Sequence, residues 1–312
     1  MKENKFDFYS KTTLKSYNLD EKIRYQLSML DSLDVFTRKH SENVANLTCR
    51  LCERLKIDKD VIVYCTTCAY LHDIGKMFIP PSILQKQGPL TDEEYEVMKT
   101  HTTLGYNMCM EDPKLRPYAN GPIYHHEALN GTGYPKGLTK KDIPLEGQII
   151  RVADEFDAIV SKRQYKSHIG ITDTLKLLVK EAQPIPKSVA LKSMEANTKL
   201  GKLNPTVVRC LFKVVIEDTE YEIACIMDYM KFINEQIKRL ETIRNYDFKR
   251  QNAKKEKKKE YYKACMEAML QGGETLSNYT FILEEYCAVR LNKKETINNL
   301  FNEIKDIKKL RV

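Results

Sequence analysis

Apolar residues at helical spacing, cut at short intervals by Pro and Gly, constrain this chain more than any other feature. Val44, Leu47, Leu51 and Leu55 recur on one helical face, and Val61 to Leu71 reads as a second apolar helix running directly into His72-Asp73. Pro80-Pro81, Gly88-Pro89, Asp112-Pro113 and Gly121-Pro122 then punctuate the pattern into further helices. Thr91-Asp92-Glu93-Glu94 reads as a helix start whose acidic first turn complements the helix dipole. The segment 128–148 carries Gly131, Gly133, Pro135, Gly137, Pro144 and Gly147, so it reads as a structured loop, with a helix resuming near Gln148 and ending near Val160. The expectation is an all-α domain over residues 25–218, behind a weakly amphipathic lead-in at 1–24.

Residues 219–312 differ in character. Ile223, Ile226, Met230, Ile233, Ile237 and Leu240 form a stripe close to heptad spacing, and Gly272-Gly273 is expected to break it, with shorter helices following. This basic extension suits coiled-coil pairing or partner binding. The formal net charge of +8 fits an anionic substrate or partner without identifying one. Part of the excess lies in Lys254 to Lys259, which reads as a solvated helix face rather than a nucleic-acid site. No stretch approaches the length of a membrane span, and Met1 to Ser10 lacks the apolar region of a secretory signal, so the expected location is the cytoplasm. The nine Cys are then expected as reduced thiols. Cys49-x-x-Cys52 and Cys65-x-x-Cys68 mimic a zinc spacing, but they lie within apolar helices and read as small packing residues.

The chemistry concentrates elsewhere. Five of the six His (His40, His72, His101, His125 and His126) fall between positions 40 and 126, and His72-Asp73 and His125-His126-Glu127 add adjacent carboxylates. A lone His is most often a satisfied structural residue, but this set points to metal ligation. His40 lies in the helix before His72, and Asp154 offers a further carboxylate in the helix after the loop. Mixed imidazole and carboxylate donors suit iron, manganese, zinc or cobalt. Two such ions about 3.5–4 Å apart are an arrangement suited to phosphoester hydrolysis. Glu127 reads either as orienting a ligand His or as solvated, and His168 reads as a surface residue.

These residues resemble a known family. His72-Asp73-Ile74-Gly75-Lys76 resembles the central motif of the HD phosphohydrolase superfamily, and His125 through Pro135 resembles the signature of its HD-GYP subfamily. Asp34, Thr37, His40 and Ser41, the stretch Ile79 to Thr91, His101 with Gly105, and Ala153 to Ala158 match the subfamily in order, covering residues 25–217. The resemblance implies an all-α helical bundle that hydrolyses cyclic di-GMP to pGpG, with or without further hydrolysis to GMP. It implies two divalent ions, iron or manganese: His40, His72, Asp73 and Asp154 on one, His101, His125 and His126 on the other, and Asp73 bridging. Lys76 would touch the scissile phosphate or the attacking water, and Arg163 and Lys166 would bind substrate phosphates. Gly133-Tyr134-Pro135 would shape the loop at the site and can mediate contact with a partner such as a diguanylate cyclase domain or a second copy.

The sequence departs from the family pattern in places. Phe36 stands where some members carry a Glu for a third metal, Thr102 where Pro is frequent, and Asn130 where Asp is common. None of these removes a ligand of the two-metal set. Alternatives are hydrolysis of another cyclic dinucleotide, such as 3',3'-cGAMP, or a non-catalytic nucleotide-binding or cyclase-binding scaffold. The intact ligand set argues against the latter.

Overall fold

The computed structural model describes residues 35–160, 170–184 and 199–312. The lead-in at 1–24, Asp34, Arg163, Lys166 and His168 lie outside the described residues. The described residues are helical, with no strand among them beyond a single isolated bridge between Asn130 and Thr139. They form two compact units divided between Val214 and Val215, with Lys309–Val312 belonging to the first. Among the described residues no helix is long and apolar enough to cross a membrane.

In the first unit, α1 (Val35–Arg54) and α2 (Lys59–Leu71) pack through small side chains. Cys49 and Cys52 on α1, and Cys65 and Cys68 on α2, are free thiols buried in the core beside Ala45 and Ala69. None of the potential metal-ligand groups among the described residues includes a Cys, in keeping with the packing role. A 3₁₀ turn, Ile74–Phe78, leaves the end of α2 and is followed by α3 (Pro81–Leu84), α4 (Asp92–Lys99) and α5 (His101–Glu111). The start of α4 is fixed by a capping box: the Thr91 hydroxyl accepts from Glu94 N–H, and the Glu94 carboxylate accepts from Thr91 N–H at 2.8 Å. A second 3₁₀ turn, Arg116–Tyr118, leads to α6 (Asn120–Tyr124), and the long loop then leads to α7 (Leu145–Val160). This last helix begins three residues before Gln148, because the Pro144 carbonyl already accepts from Gln148 N–H at 3.2 Å. Proline just ahead of a first turn loses no hydrogen bond the helix would make.

Two glycines let these helices approach the end of α2. A β-carbon on Gly75 would lie 1.9 Å from the His101 carbonyl oxygen, and one on Gly121 would lie 2.1 Å from that of Cys68. Any larger residue would hold α5 or α6 away from α2. The unit continues with α8 (Ile171–Ala182) and with the start of α9 (Pro205–Gln251).

The boundary expected at Asp218 falls inside α9, which runs through it without a break. In the second unit, Ile233, Ile237, Leu240 and Ile243 of α9 form a core with Met266 from α10 (Glu256–Glu267) and with Tyr279 and Leu283 from α11 (Tyr279–Ile307). Arg239 donates to both carboxylate oxygens of Glu274 and to the Met269 carbonyl at 2.8 Å. Gly272, at φ +56°, does break the chain, but a single 29-residue helix follows rather than shorter ones. Leu291 and Phe301 stand exposed on α11 while Tyr279, Leu283, Ile304 and Ile307 are buried, so apolar residues lie outside its buried stripe as well as on it. Lys254 to Lys258 are solvent-exposed, as a solvated face requires.

Candidate metal centre

The helix ends and the loop bring His40, His72, Asp73, His101, His125, His126 and Asp154 into one cluster. The ligand atoms of His40, His72 and Asp73 lie within 4.8 Å of one another, as do those of His101, His125 and His126, and those of His72, His125 and Asp154. Asp73 faces both imidazole sets. Its Oδ2 lies 3.3 Å from His72 Nε2 and 3.7 Å from His40 Nε2. Its Oδ1 lies 3.6 Å from His101 Nε2 and 3.9 Å from His125 Nε2. Burial opposes ionisation of Asp73, but Lys76, whose Nζ donates to Oδ2 at 2.5 Å, and His72 hold its carboxyl well below the usual range. Asp154 is likewise held low against burial, chiefly by His40.

Three imidazoles are fixed by carbonyls of their own chain segment. The Nδ1 of His72 donates to Ala69 O at 2.6 Å, that of His101 to Met98 O at 2.7 Å, and that of His125 to Pro122 O at 2.8 Å. A carbonyl oxygen can only accept, so Nδ1 carries a proton in each ring, and in the neutral form the lone pair lies on Nε2. Burial, followed by neighbouring imidazoles, lowers the pKa of His125 well below its ordinary value; His126 is lowered as far, again chiefly by burial. His101 is lowered by burial as well.

This geometry suits a divalent cation. The Nε2 atoms of His101 and His125 stand 3.2 Å apart with lone pairs facing, and His72 Nε2 is buried without any hydrogen-bond partner. Such groups are costly in a protein interior unless a cation lies between them. His40 differs. Burial disfavours its charge, but its Nδ1 bonds Asp157 at 2.7 Å and its Nε2 bonds Asp154 at 2.9 Å, so its pKa is raised to about 9. Metal binding at His40 would therefore release a proton.

Asp157 is the functional residue that sequence reasoning passed over. It also accepts from Asn43 Nδ2 at 3.1 Å, and so holds the His40 ring from the side opposite the cluster. Its spacing of three from Asp154 places both carboxylates on one helical face, a signal present in the sequence.

The loop after His126 is equally specific. Its Gly133 has no room for a β-carbon, which would lie 2.3 Å from Ala128 N. Tyr134 N–H donates to the His126 carbonyl at 3.1 Å, and its ring stacks on His126 with centroids 4.6 Å apart. Pro135 is exposed at the tip. Glu127 neither orients a ligand nor points to solvent. It is 2% exposed, and its carboxylate accepts from Lys136 N–H at 2.7 Å and Leu138 N–H at 2.8 Å, closing the loop on itself. Asn130 similarly accepts from Thr132 N–H and its hydroxyl.

Comparison with known proteins identifies the family to which the first unit belongs. A family model described as an HD domain matches residues 24–206. A cyclic di-GMP phosphodiesterase of Thermotoga maritima is 38% identical over 198 residues, 62% of this chain and 49% of that protein. The cyclic di-GMP phosphodiesterase response regulator RpfG of Xanthomonas campestris is 36% identical over 154 residues, 47% of this chain and 41% of that protein. A 3'3'-cGAMP-specific phosphodiesterase 3 of Vibrio cholerae is 32% identical over 150 residues, 48% of this chain and 33% of that protein. The chain thus spans half or less of the length of each of these relatives. With the HD domain match across more than half its length, the chain belongs to the HD domain family.

Proposed function

We propose that this chain is a metal-dependent phosphodiesterase that hydrolyses cyclic di-GMP to linear pGpG. The observation that carries the reading is the placement of Asp73, one carboxylate oxygen toward His40 and His72 and the other toward His101 and His125. A carboxylate so shared suits a bridging ligand between two cations. His40, His72, Asp73 and Asp154 would hold one, and Asp73, His101, His125 and His126 the other, with iron or manganese the metals the family resemblance implies. Such ions supply the Lewis acidity that polarises a phosphoryl oxygen and lowers the pKa of water.

The protein's own groups do the remaining work. Lys76 lies against Asp73 with 15% of its side chain exposed, so its ammonium can meet a phosphate without leaving the carboxylate. His101 and His125, whose pKa values burial lowers, keep their Nε2 lone pairs toward the reacting centre. The Tyr134 ring covers His126 and excludes water from that side. Arg163 and Lys166 remain the candidates for gripping the substrate's phosphates. The exposed Pro135 at the loop tip is where a cyclase domain or a second copy would make contact.

The test is hydrolysis by protein purified without oxygen and loaded with iron or manganese, beside Asp73→Ala. Turnover of cyclic di-GMP that disappears in the variant is the expected result. Because relatives named as cyclic di-GMP and as 3'3'-cGAMP phosphodiesterases match at comparable identity, both substrates belong in the assay. Metal-loaded protein that cleaves only the mixed dinucleotide overturns the choice of substrate, and protein that cleaves neither overturns the reaction.

A further inference from the structure

One half-buried cation near the cluster has no part in the scheme above. Arg151 lies on α7, one turn before Asp154, with only 17% of its side chain exposed. Its Nη1 donates to the His126 carbonyl at 2.8 Å. The same oxygen accepts from Tyr134 N–H, so three elements meet at one carbonyl: the His125-His126 pair, the loop that carries Tyr134, and the helix that carries Asp154. Four residues on, Glu155 places Oε2 3.5 Å from Arg151 Nε, and both atoms are buried with no hydrogen-bond partner. With its Nε buried and without a hydrogen bond, the guanidinium is anchored by the bond from Nη1 to the His126 carbonyl.

We propose that Arg151 is a positioning residue for the metal centre: by holding the His126 carbonyl, it sets the separation between the His125-His126 imidazoles and Asp154. The inference rests on the metal-site reading. Without the guanidinium the His126 peptide keeps only the Tyr134 N–H, which moves with the loop and provides no link to α7. Hydrogen bonds behind a ligand characteristically change metal affinity by about 10- to 100-fold.

The experiment uses the full chain, stripped with a chelator and titrated with Co(II), followed by calorimetry and by the visible absorption of the bound ion. Arg151→Ala should bind Co(II) about 10- to 100-fold more weakly than the unaltered chain and give a changed absorption band at saturation. Arg151→Lys, which keeps the charge and a donor, should recover part of both. Thermal melting of the metal-free proteins separates this from loss of fold, since a purely structural Arg151 would lower the melting temperature and leave the saturated spectrum unchanged. Unaltered affinity and spectrum in Arg151→Ala overturn the proposal while leaving the metal centre standing. Failure of the unaltered chain to bind Co(II) overturns both.

Discussion

Gly75 gives the sharpest test of how the centre is assembled. Its missing β-carbon would sit 1.9 Å from the His101 carbonyl oxygen and 2.5 Å from Gly105 N. Carbon and carbonyl oxygen approach no closer than about 3.3 Å, so Gly75→Ala must drive the Ile74–Phe78 turn and α5 apart by about 1.4 Å. That movement separates the segments that carry Asp73 and His101, whose ligand atoms are 3.6 Å apart. A displacement of about 1 Å at a reacting centre can cost on the order of 100-fold in rate, and overpacking of this kind about 1–3 kcal/mol in stability. We therefore expect Gly75→Ala to fold with a lowered melting temperature, to bind metal more weakly, and to lose about two orders of magnitude in kcat/KM. Gly170→Ala is the control. Nothing lies within 4 Å of a β-carbon there, and its stability should stay within about 0.5 kcal/mol of the unaltered chain. Assays are metal titration, thermal melting and steady-state hydrolysis on both variants. Gly75→Ala with unaltered metal affinity and turnover would refute the argument that close approach of these segments fixes the ligand spacing.

Three further outcomes follow from contacts outside the ligand set. Asp157→Asn should weaken metal binding by about 10- to 100-fold, because the His40 ring loses its anionic partner; calorimetric titration against Asn43→Ala, which leaves that partner in place, measures the difference. Glu127→Ala removes the acceptor of two part-buried N–H groups, at about 1 kcal/mol each, and should speed hydrogen exchange at Lys136 and Leu138 well before global unfolding. In the second unit, Arg239 holds the Glu274 carboxyl below its ordinary value of 4.5. A lowered carboxyl stabilises the fold above the unfolded value and loses that contribution as pH falls through the lowered folded one. Acid titration of unfolding should therefore show this unit weakening below pH 4.5, and Glu274→Gln should flatten that dependence.

What the sequence revealed and what it hid divide along a physical line. The seven cluster residues were readable because their chemistry is carried by residue type, and His and Asp in that order have few structural duties to compete with. Helix positions were readable where a long apolar run carries them, as in α2, whose residues Cys65 to Leu71 are all buried. The roles of Asp157 and Glu127 were not, since each depends on which atoms lie opposite. Asp157 meets His40 across 117 positions of sequence, and Glu127 meets backbone N–H groups that any residue would supply. The need for glycine at Gly75 and Gly121 was hidden for the same reason, the clashing atoms belonging to other segments. The length of α11 was missed because exposed Phe281, Leu291 and Phe301 blur a buried stripe that in fact runs from Tyr279 to Ile307.

The imidazoles of His72, His101 and His125 share one device, each donating its Nδ1 proton to the carbonyl three residues earlier. The rotation of each ring is thus inherited from its own turn of backbone and owes nothing to distant parts of the chain. What remains adjustable is how far those turns stand from one another. A lineage, or an engineer, could retune the spacing of the donors by sliding whole helices through core substitutions, while every ring kept its aim. The chemistry of such a pocket can drift without its compass needles having to be reset.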